Sequence, residues 1–307
     1  MGKILAVCLS EKKGTLKVPV EKAELKEDWG IVGDAHAGKW HRQVSLLGFE
    51  AMDAFRKRGA NVDFGAFGEN LVVEGIDLTH LPVGTRFRIG DCLLEMSQIG
   101  KACHSHCAIY KQVGDCIMPR EGVFAVVKKG GVVMPGDEIT VIPADPERPY
   151  TAAVITLSDR ASRGEYEDKS GPTICRILTD AGYQVIETLL LPDGRVPLER
   201  ELMRLADQRQ VNVIFTTGGT GFSARDLTPE ATKEVSDREV PGIGEALRAY
   251  SLTITKHAML SRQTAGIRKQ TLIINLPGSP KACREDLDYL LPPLAHGLGI
   301  LRGTATD

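Results

Sequence analysis

The sequence predicts two domains: a mostly β, barrel-like domain over residues 1–145 and an α/β domain with a mainly parallel sheet over residues 151–307, joined by a linker at 146–150. Three observations carry this. Downstream of residue 150, apolar runs alternate with helical patterns, as a parallel sheet with crossover helices requires. Upstream, short strand-like runs are punctuated by glycine turns, the pattern of a barrel or sandwich. Between them, Ile142-Pro-Ala-Asp-Pro-Glu-Arg-Pro149 packs three prolines into a short polar stretch, which suits a linker.

In chain order, strand-like runs are expected at Ile4–Leu9, Gln43–Leu47, Asn70–Val73, Arg86–Ile89, Leu93–Ile99 and Ile139–Ile142, with a helix over Leu47–Gly59. In the second half, strands are expected at Thr151–Asp159, Gln184–Pro192, Val211–Gly219 and Thr271–Gly278. Leu198, Leu202, Leu205 and Ala206 recur at helical spacing between two of them. In such sheets ligands sit at the carboxyl ends of the strands.

At 307 residues and 42% hydrophobic content the chain can bury two cores. Its formal net charge of −2, with acids and bases intermixed, gives no electrostatic footprint for nucleic acid or an anionic membrane. Met1–Ser10 has no signal-peptide core and no later run approaches a membrane span, so a cytoplasmic location is expected. The seven cysteines are scattered and odd in number, which favours reduced thiols.

Chemistry concentrates in Phe215-Thr-Thr-Gly-Gly-Thr-Gly-Phe-Ser-Ala-Arg-Asp-Leu-Thr-Pro-Glu230. Gly218, Gly219 and Gly221 let backbone amides approach a ligand, and Thr228 with Pro229 is expected to cap and start the next helix, turning its positive end toward the same pocket. Asp226 is the odd member. A carboxylate beside a phosphate-type loop is repulsive unless a metal ion or a hydroxyl lies between, which makes it a candidate Mg²⁺ or sugar contact. Other loops follow the other strands. Ser158, Asp159 and Arg160 suit a phosphate or a capping turn equally well, and Leu191-Pro-Asp-Gly194 places Asp193 at a carboxyl end, where Asp-Gly is also ordinary turn chemistry. Asn275-Leu-Pro-Gly-Ser-Pro-Lys281 repeats the loop logic, with Ser279 as a cap, Pro280 as the first helical residue and Lys281 supplying charge. Two carboxylates, two helix N-termini and several hydroxyls suit phosphoryl or nucleotidyl transfer. Cys175 and Cys283 fall in helical patterns and read as packing residues.

Thr156-Leu-Ser-Asp-Arg-Ala-Ser162, Asp168-Lys-Ser-Gly171, the glycine block, Leu260-Ser-Arg-Gln263 and Leu276-Pro-Gly-Ser-Pro280 together resemble molybdopterin adenylyltransferases across nearly all of residues 151–307. Molybdopterin molybdotransferases and a nicotinamide-nucleotide-processing family share a similar glycine loop, but Ser-Asp-Arg-Ala-Ser and Leu-Ser-Arg-Gln sit closer to the adenylyltransferases. The resemblance implies a trimeric molybdopterin-binding fold that uses Mg²⁺ and ATP to adenylylate molybdopterin, releasing pyrophosphate. It implies that Asp193 and Asp226 are catalytic and hold the metal. It also implies that Ser158, Asp159, Gly218, Gly219, Thr220, Gly221, Pro277, Gly278 and Ser279 line the nucleotide and pterin pockets.

The first half carries Gly33-Asp-Ala-His-Ala-Gly-Lys-Trp-His-Arg42, Phe67-Gly-Glu-Asn-Leu71 and Gly100-Lys-Ala-Cys-His-Ser-His-Cys-Ala-Ile109. Two cysteines and two histidines packed this tightly do not readily surround one tetrahedral zinc, whereas a single thiolate on a soft metal is easier to build. His36, His41 and Arg42 suit a pterin phosphate or an ordinary surface turn. These blocks are similar to the MOSC domain of molybdenum cofactor sulfurases and amidoxime-reducing proteins. That resemblance implies an essential cysteine, Cys103 or Cys107, which binds a molybdenum (or tungsten) cofactor or carries sulfur; His106 replaces the arginine expected before the second cysteine. Cys8, Cys92 and Cys116 are expected as buried thiols. The two resemblances imply a fusion in molybdenum cofactor biosynthesis, with a molybdotransferase or a cofactor-accepting apoenzyme as partner. Two alternatives stand beside it: a non-catalytic cofactor carrier or scaffold, and a reductase of N-hydroxylated compounds.

Overall fold

The first eleven strands are β1 (Gly2–Leu9), β2 (Val18–Val20), β3 (Ala23–Lys26), β4 (Gly30–Ile31), β5 (Val44–Gly48), β6 (Leu71–Glu74), β7 (Arg86–Ile89), β8 (Cys92–Ile99), β9 (Val123–Lys129), β10 (Gly131–Val133) and β11 (Glu138–Ile142). The computed structural model describes residues 1–101, 110 and 114–305 and divides into two units, Met1–Asp145 and Pro146–Asp307. In the first unit the order β11-β7-β8-β9-β5-β6-β1 closes on itself, because β1 also pairs with β11 through Gly2 opposite Ile139 and Lys3 opposite Glu138. The result is a seven-stranded barrel with β2 added to β1 and a small separate sheet, β10-β3-β4. Closure removes the open edges a sheet of this size would expose. Ile4, Val7, Leu46, Leu71, Phe87, Leu94, Ala125 and Ile139 fill the interior, and Met52 and Phe55 of the helix Phe49–Lys57 bury against a second cluster with Leu47, Val72 and Phe124. The six strands expected here and the helix all form, within two residues at most ends. Strands β2, β3, β4, β9 and β10 are additions that the sequence expectation lacks.

The second unit contains β12 (Thr151–Leu157), β13 (Gln184–Leu191), β14 (Val213–Thr217), β15 (Arg238–Glu239), β16 (Ala265–Arg268) and β17 (Thr271–Leu276), in the order β13-β12-β14-β17-β16-β15. The first four in that order run parallel; β16 is antiparallel to β17 and β15 to β16, so the sheet is mixed and mostly parallel. Both faces of β12, β14 and β17 are covered, which is why these strands are buried without alternation, whereas the edge strand β13 exposes Gln184, Thr188 and Leu190. Val154, Phe215 and Ile274 pack with Ile174 and Leu178 of the helix Ser170–Asp180 and with Leu287 and Leu294 of the helix Pro280–Arg302. Ile155, Ile214 and Ile273 pack on the other side with Leu198 and Leu202 of the helix Arg195–Met203 and with Ala231 and Val235 of the helix Thr228–Val235. Residues around 148–150 are pinned within this unit: Arg302 donates to the carbonyl oxygens of Arg148 at 2.6 Å and Pro149 at 3.1 Å and lies 4.2 Å over the Tyr150 ring. No helix among the described residues is long and apolar enough to cross a membrane.

Candidate functional site

The parallel strands β12, β13, β14 and β17 end on one side of the sheet, and each is followed by a loop that the sequence singled out. The tightest is the glycine loop after β14. Gly218 has φ +98°, and a Cβ there would meet the Leu157 carbonyl oxygen at 2.3 Å; Gly219 has φ +66°, and a Cβ there would meet Thr228 Oγ1 at 2.3 Å. Both features demand glycine. A Cβ on Gly278 would lie 3.6 Å from Gly218 Cα, so the loops after β14 and β17 touch. Thr217 Oγ1 donates to the Pro277 carbonyl at 2.6 Å and Ser170 Oγ donates to that of Gly278 at 2.8 Å, fixing the second loop.

The expected cap at Thr228 is not made. Leu227 occupies the position before the helix, and Thr228, already inside it and buried, donates its hydroxyl to the Gly218 carbonyl at 2.9 Å. The loop folds back close enough to take this bond, so the side chain braces the loop instead of the helix. Ser279 and Ser158 do cap: Ser279 Oγ accepts from Ala282 N at 3.5 Å, ahead of Pro280, and Ser158 Oγ accepts from Ala161 N at 3.2 Å. Lys281 is exposed, with its Nζ 3.7 Å from Glu285 Oε1 one turn further along the helix.

The carboxylates are interlocked through the backbone. Asp159 N donates to Asp193 Oδ2 at 2.9 Å, and Asp193 N donates to Asp159 Oδ1 at 3.1 Å. Arg225, from the glycine block, reaches across to both loops: its Nε lies 2.8 Å from Asp159 Oδ2, its Nη2 donates to Asp159 Oδ1 at 2.9 Å, and it also donates to the Asp193 carbonyl. Asp226 folds onto its own loop, accepting from Ser223 N at 2.9 Å. A Cβ on Gly221 would come within 2.9 Å of the Asp226 carboxylate. Arg262 clamps the loop from behind, with its N donating to the Thr220 carbonyl at 3.0 Å, Nε to the Gly221 carbonyl at 2.8 Å, and the guanidinium to the Asp226 carbonyl and the Glu230 carboxylate. Neither Arg225 nor Arg262 was expected from the sequence to have a role. Both sit inside quoted segments, but only the fold shows which carbonyls and carboxylates they reach.

Among the described residues, Oδ1 of Asp193 and of Asp226 accepts no hydrogen bond, and no group of three or more His, Cys, Asp or Glu gathers into a metal cage. This donor set fits Mg²⁺, which keeps several waters and takes one or two carboxylates together with substrate phosphates.

Residues 153–296 match the probable molybdopterin binding domain, a span that contains every loop above, and residues 33–140 match the MOSC domain. A molybdopterin adenylyltransferase of Helicobacter pylori (strain J99) is 43% identical over 152 residues, which cover 49% of this chain and 86% of that protein. The chain belongs to the molybdopterin adenylyltransferase family. Another member of that family, from Escherichia coli (strain K12), is 47% identical over 137 residues, 44% of this chain and 70% of its own. The crystal structure of the molybdopterin biosynthesis enzyme MoaB from Thermus thermophilus is 43% identical and covers 50% of this chain and 97% of its own, with a TM-score of 0.48.

In the first unit, Cys103 and Cys107 lie outside the described residues, as do His104 and His106. The two other blocks meet in a buried polar network. Asp34 Oδ2 accepts from Lys17 Nζ at 2.5 Å, Ser10 N at 3.1 Å and Asn70 Nδ2 at 3.2 Å, while Oδ1 accepts from His36 N at 2.8 Å. Burial pushes the Asp34 carboxyl up, but hydrogen bonds from His36 and Lys17 outweigh it and hold the group below the usual carboxylate range. Glu69, fully buried, accepts from Gly65 N at 2.6 Å and Phe67 N at 3.0 Å. Of the residues considered for a phosphate, His41 Nε2 is 2.9 Å from Gln98 Oε1, and the Arg42 guanidinium lies 4.8 Å from the Trp40 ring centre. Cys8, Cys92 and Cys116 are buried thiols, as expected, and Cys283 is buried with its Sγ 3.0 Å from the Pro277 carbonyl; Cys175 is half-buried.

Proposed function

We propose that the second unit is a nucleotidyltransferase that moves AMP from ATP to the terminal phosphate of molybdopterin, as a part of molybdenum cofactor biosynthesis. The observation that carries this reading is that Asp193 and Asp226 lie in two strand-end loops at one sheet edge, the glycine loop of Asp226 reaching that of Asp193 through Arg225, in a chain of the molybdopterin adenylyltransferase family. In this reading Gly218, Gly219, Thr220 and Gly221 admit the triphosphate to backbone amides, and Ser158, Asp159, Pro277, Gly278 and Ser279 line the remainder of the nucleotide and pterin pockets. A phosphate oxygen of molybdopterin attacks the α-phosphorus of ATP, the bond from that phosphorus to the bridging oxygen breaks, and pyrophosphate departs with the electron pair. Asp193 and Asp226 would hold Mg²⁺, which when bound neutralises phosphate charge. Arg225 is placed to exchange its carboxylate partner Asp159 for a substrate phosphate. We further propose that the second unit forms a homotrimer, and that the MOSC unit binds or transfers a molybdenum–pterin or sulfur species through Cys103 or Cys107.

The test supplies the whole chain with ATP, Mg²⁺ and molybdopterin and measures pyrophosphate. Release by the wild type and its loss in Asp226→Ala, with unchanged melting, support the reading. Wild type that binds molybdopterin without releasing pyrophosphate overturns it and leaves a carrier.

A further inference from the structure

The clamp residue Arg262 is followed by Gln263, which is 4% exposed and held at every polar atom of its side chain. Its Nε2 donates to Asp286 Oδ2 at 2.6 Å, and its Oε1 accepts from Ser261 Oγ at 2.8 Å. Its carbonyl accepts from Arg248 Nη1 at 2.5 Å. Asp286 stands on the helix Pro280–Arg302, is 1% exposed, and takes its other hydrogen bond from Ser251 Oγ at 3.0 Å. A buried acid costs more than an apolar residue of the same size unless its geometry is put to use. Here the geometry points one way: the helix Pro241–Leu252, which bears Arg248 and Ser251, and the helix Pro280–Arg302 both grip Gln263. The adjacent Arg262 then meets Thr220, Gly221 and Asp226.

We infer that Asp286 and Gln263 are positioning residues for the glycine loop, setting through Arg262 the place of Gly221 and Asp226. This rests on the proposed function for its catalytic meaning, but not for its structural test. Burial raises the Asp286 carboxyl above its ordinary value, in keeping with a site that tolerates the group for its hydrogen bonds.

Amide hydrogen exchange of the segment 218–228 in the full chain, without substrate, reads the loop directly. In Asp286→Ala, exchange in that segment is expected to rise about tenfold, to the level of Arg262→Ala, with no further rise in the double variant. Asp286→Asn should restore wild-type exchange, because the amide keeps an oxygen toward Gln263 and donates to the Ser251 hydroxyl. Should Asp286→Ala fail to fold, Gln263→Met removes the same link at similar volume and carries the same expectation. Unchanged exchange in 218–228, an equal rise across the strand Thr271–Leu276, or additive effects with Arg262→Ala would overturn the inference. Pyrophosphate release is then expected to fall about tenfold in Asp286→Ala and to recover in Asp286→Asn. A wild type that never releases pyrophosphate sinks the proposed function and leaves the exchange result standing.

Discussion

Replacing Gly218 by alanine tests how the glycine loop is held. At φ +98° an L-residue carries a strain of about 1–2 kcal/mol, and the new methyl would sit 2.3 Å from the Leu157 carbonyl oxygen, closer than real Cβ atoms approach. Leu157 ends β12 and is paired with Leu191 of β13, so the carbonyl cannot simply retreat. Relieving such overlap in a packed site costs about 1–3 kcal/mol more. The sum, about 2–5 kcal/mol, lowers the melting temperature of a unit this size by roughly 5–20 °C. Gly182→Ala is the control, since Gly182 has a similar φ of +85° with nothing within 4 Å of the added methyl. The only two tryptophans, Trp29 and Trp40, lie in the first unit, so their fluorescence follows that unit. Calorimetry should show the second unit's transition falling well below that of Gly182→Ala while the tryptophan transition stays in place. A Gly218→Ala protein melting within about 2 °C of the Gly182→Ala control would refute the claim that backbone crowding fixes this loop.

Thr228→Val removes the hydroxyl that reaches the Gly218 carbonyl and leaves that oxygen without its bond, so a loss of about 1–2 kcal/mol is expected in urea unfolding followed by circular dichroism; no loss would mean the bond is idle. Asp34, held below the ordinary carboxylate range in the folded state, gives stability that is present above its unfolded value near about 3.9 and is lost as pH falls toward its folded value. The stability gap between wild type and Asp34→Asn, read by tryptophan fluorescence, should therefore shrink as pH falls below about 4, and a gap constant with pH would count against the network. Burial pushes the Cys283 thiol up to about 12, so a maleimide at neutral pH should label it only after unfolding, as checked by peptide mass spectrometry; labelling in the folded chain would contradict its packing.

Much of the second unit was legible because β12, β14 and β17 are buried on both faces and read as apolar runs, while the half-exposed edge strand β13 still carries Val185-Ile186 and Leu189-Leu190-Leu191. The antiparallel pair β15 and β16 was not, since Arg238–Glu239 is exposed and only two residues long, and Ala265–Arg268 has four residues with Ile267 its one strong strand former, so neither carries a period to detect. In the first unit, Ala23–Lys26 alternates buried and exposed positions over only four residues, too few to separate from a turn. Val123–Lys129 differs, for its apolar core resembles the strands that were expected, and its omission has no physical excuse. At the candidate site, the backbone demands were readable: glycines where no Cβ fits and serines that cap. The arginines were not. Arg225 bonds residues 66 and 32 positions away, and Arg262 reaches back 41, 36 and 32, spans that spacing alone does not encode. Thr228 shows the opposite error, in which a sound local rule yields to a tertiary contact.

The pairing of β1 with β11 also sets a timetable for synthesis. Gly2 and Lys3 find their partners only when Glu138 and Ile139 have been made, which at about 5–20 residues per second takes on the order of ten seconds. Meanwhile the first strand, with Ile4, Val7 and Cys8 to be buried, can meet β2 at Val18–Val20 and β6 at Leu71–Glu74 but must leave Gly2 and Lys3 on the β2 side unpaired on the emerging chain. Placing the adenylyltransferase-type unit after the barrel means that it is translated only once that waiting edge can close, so crowded nascent chains are least at risk of joining edge to edge while the catalytic half is being made.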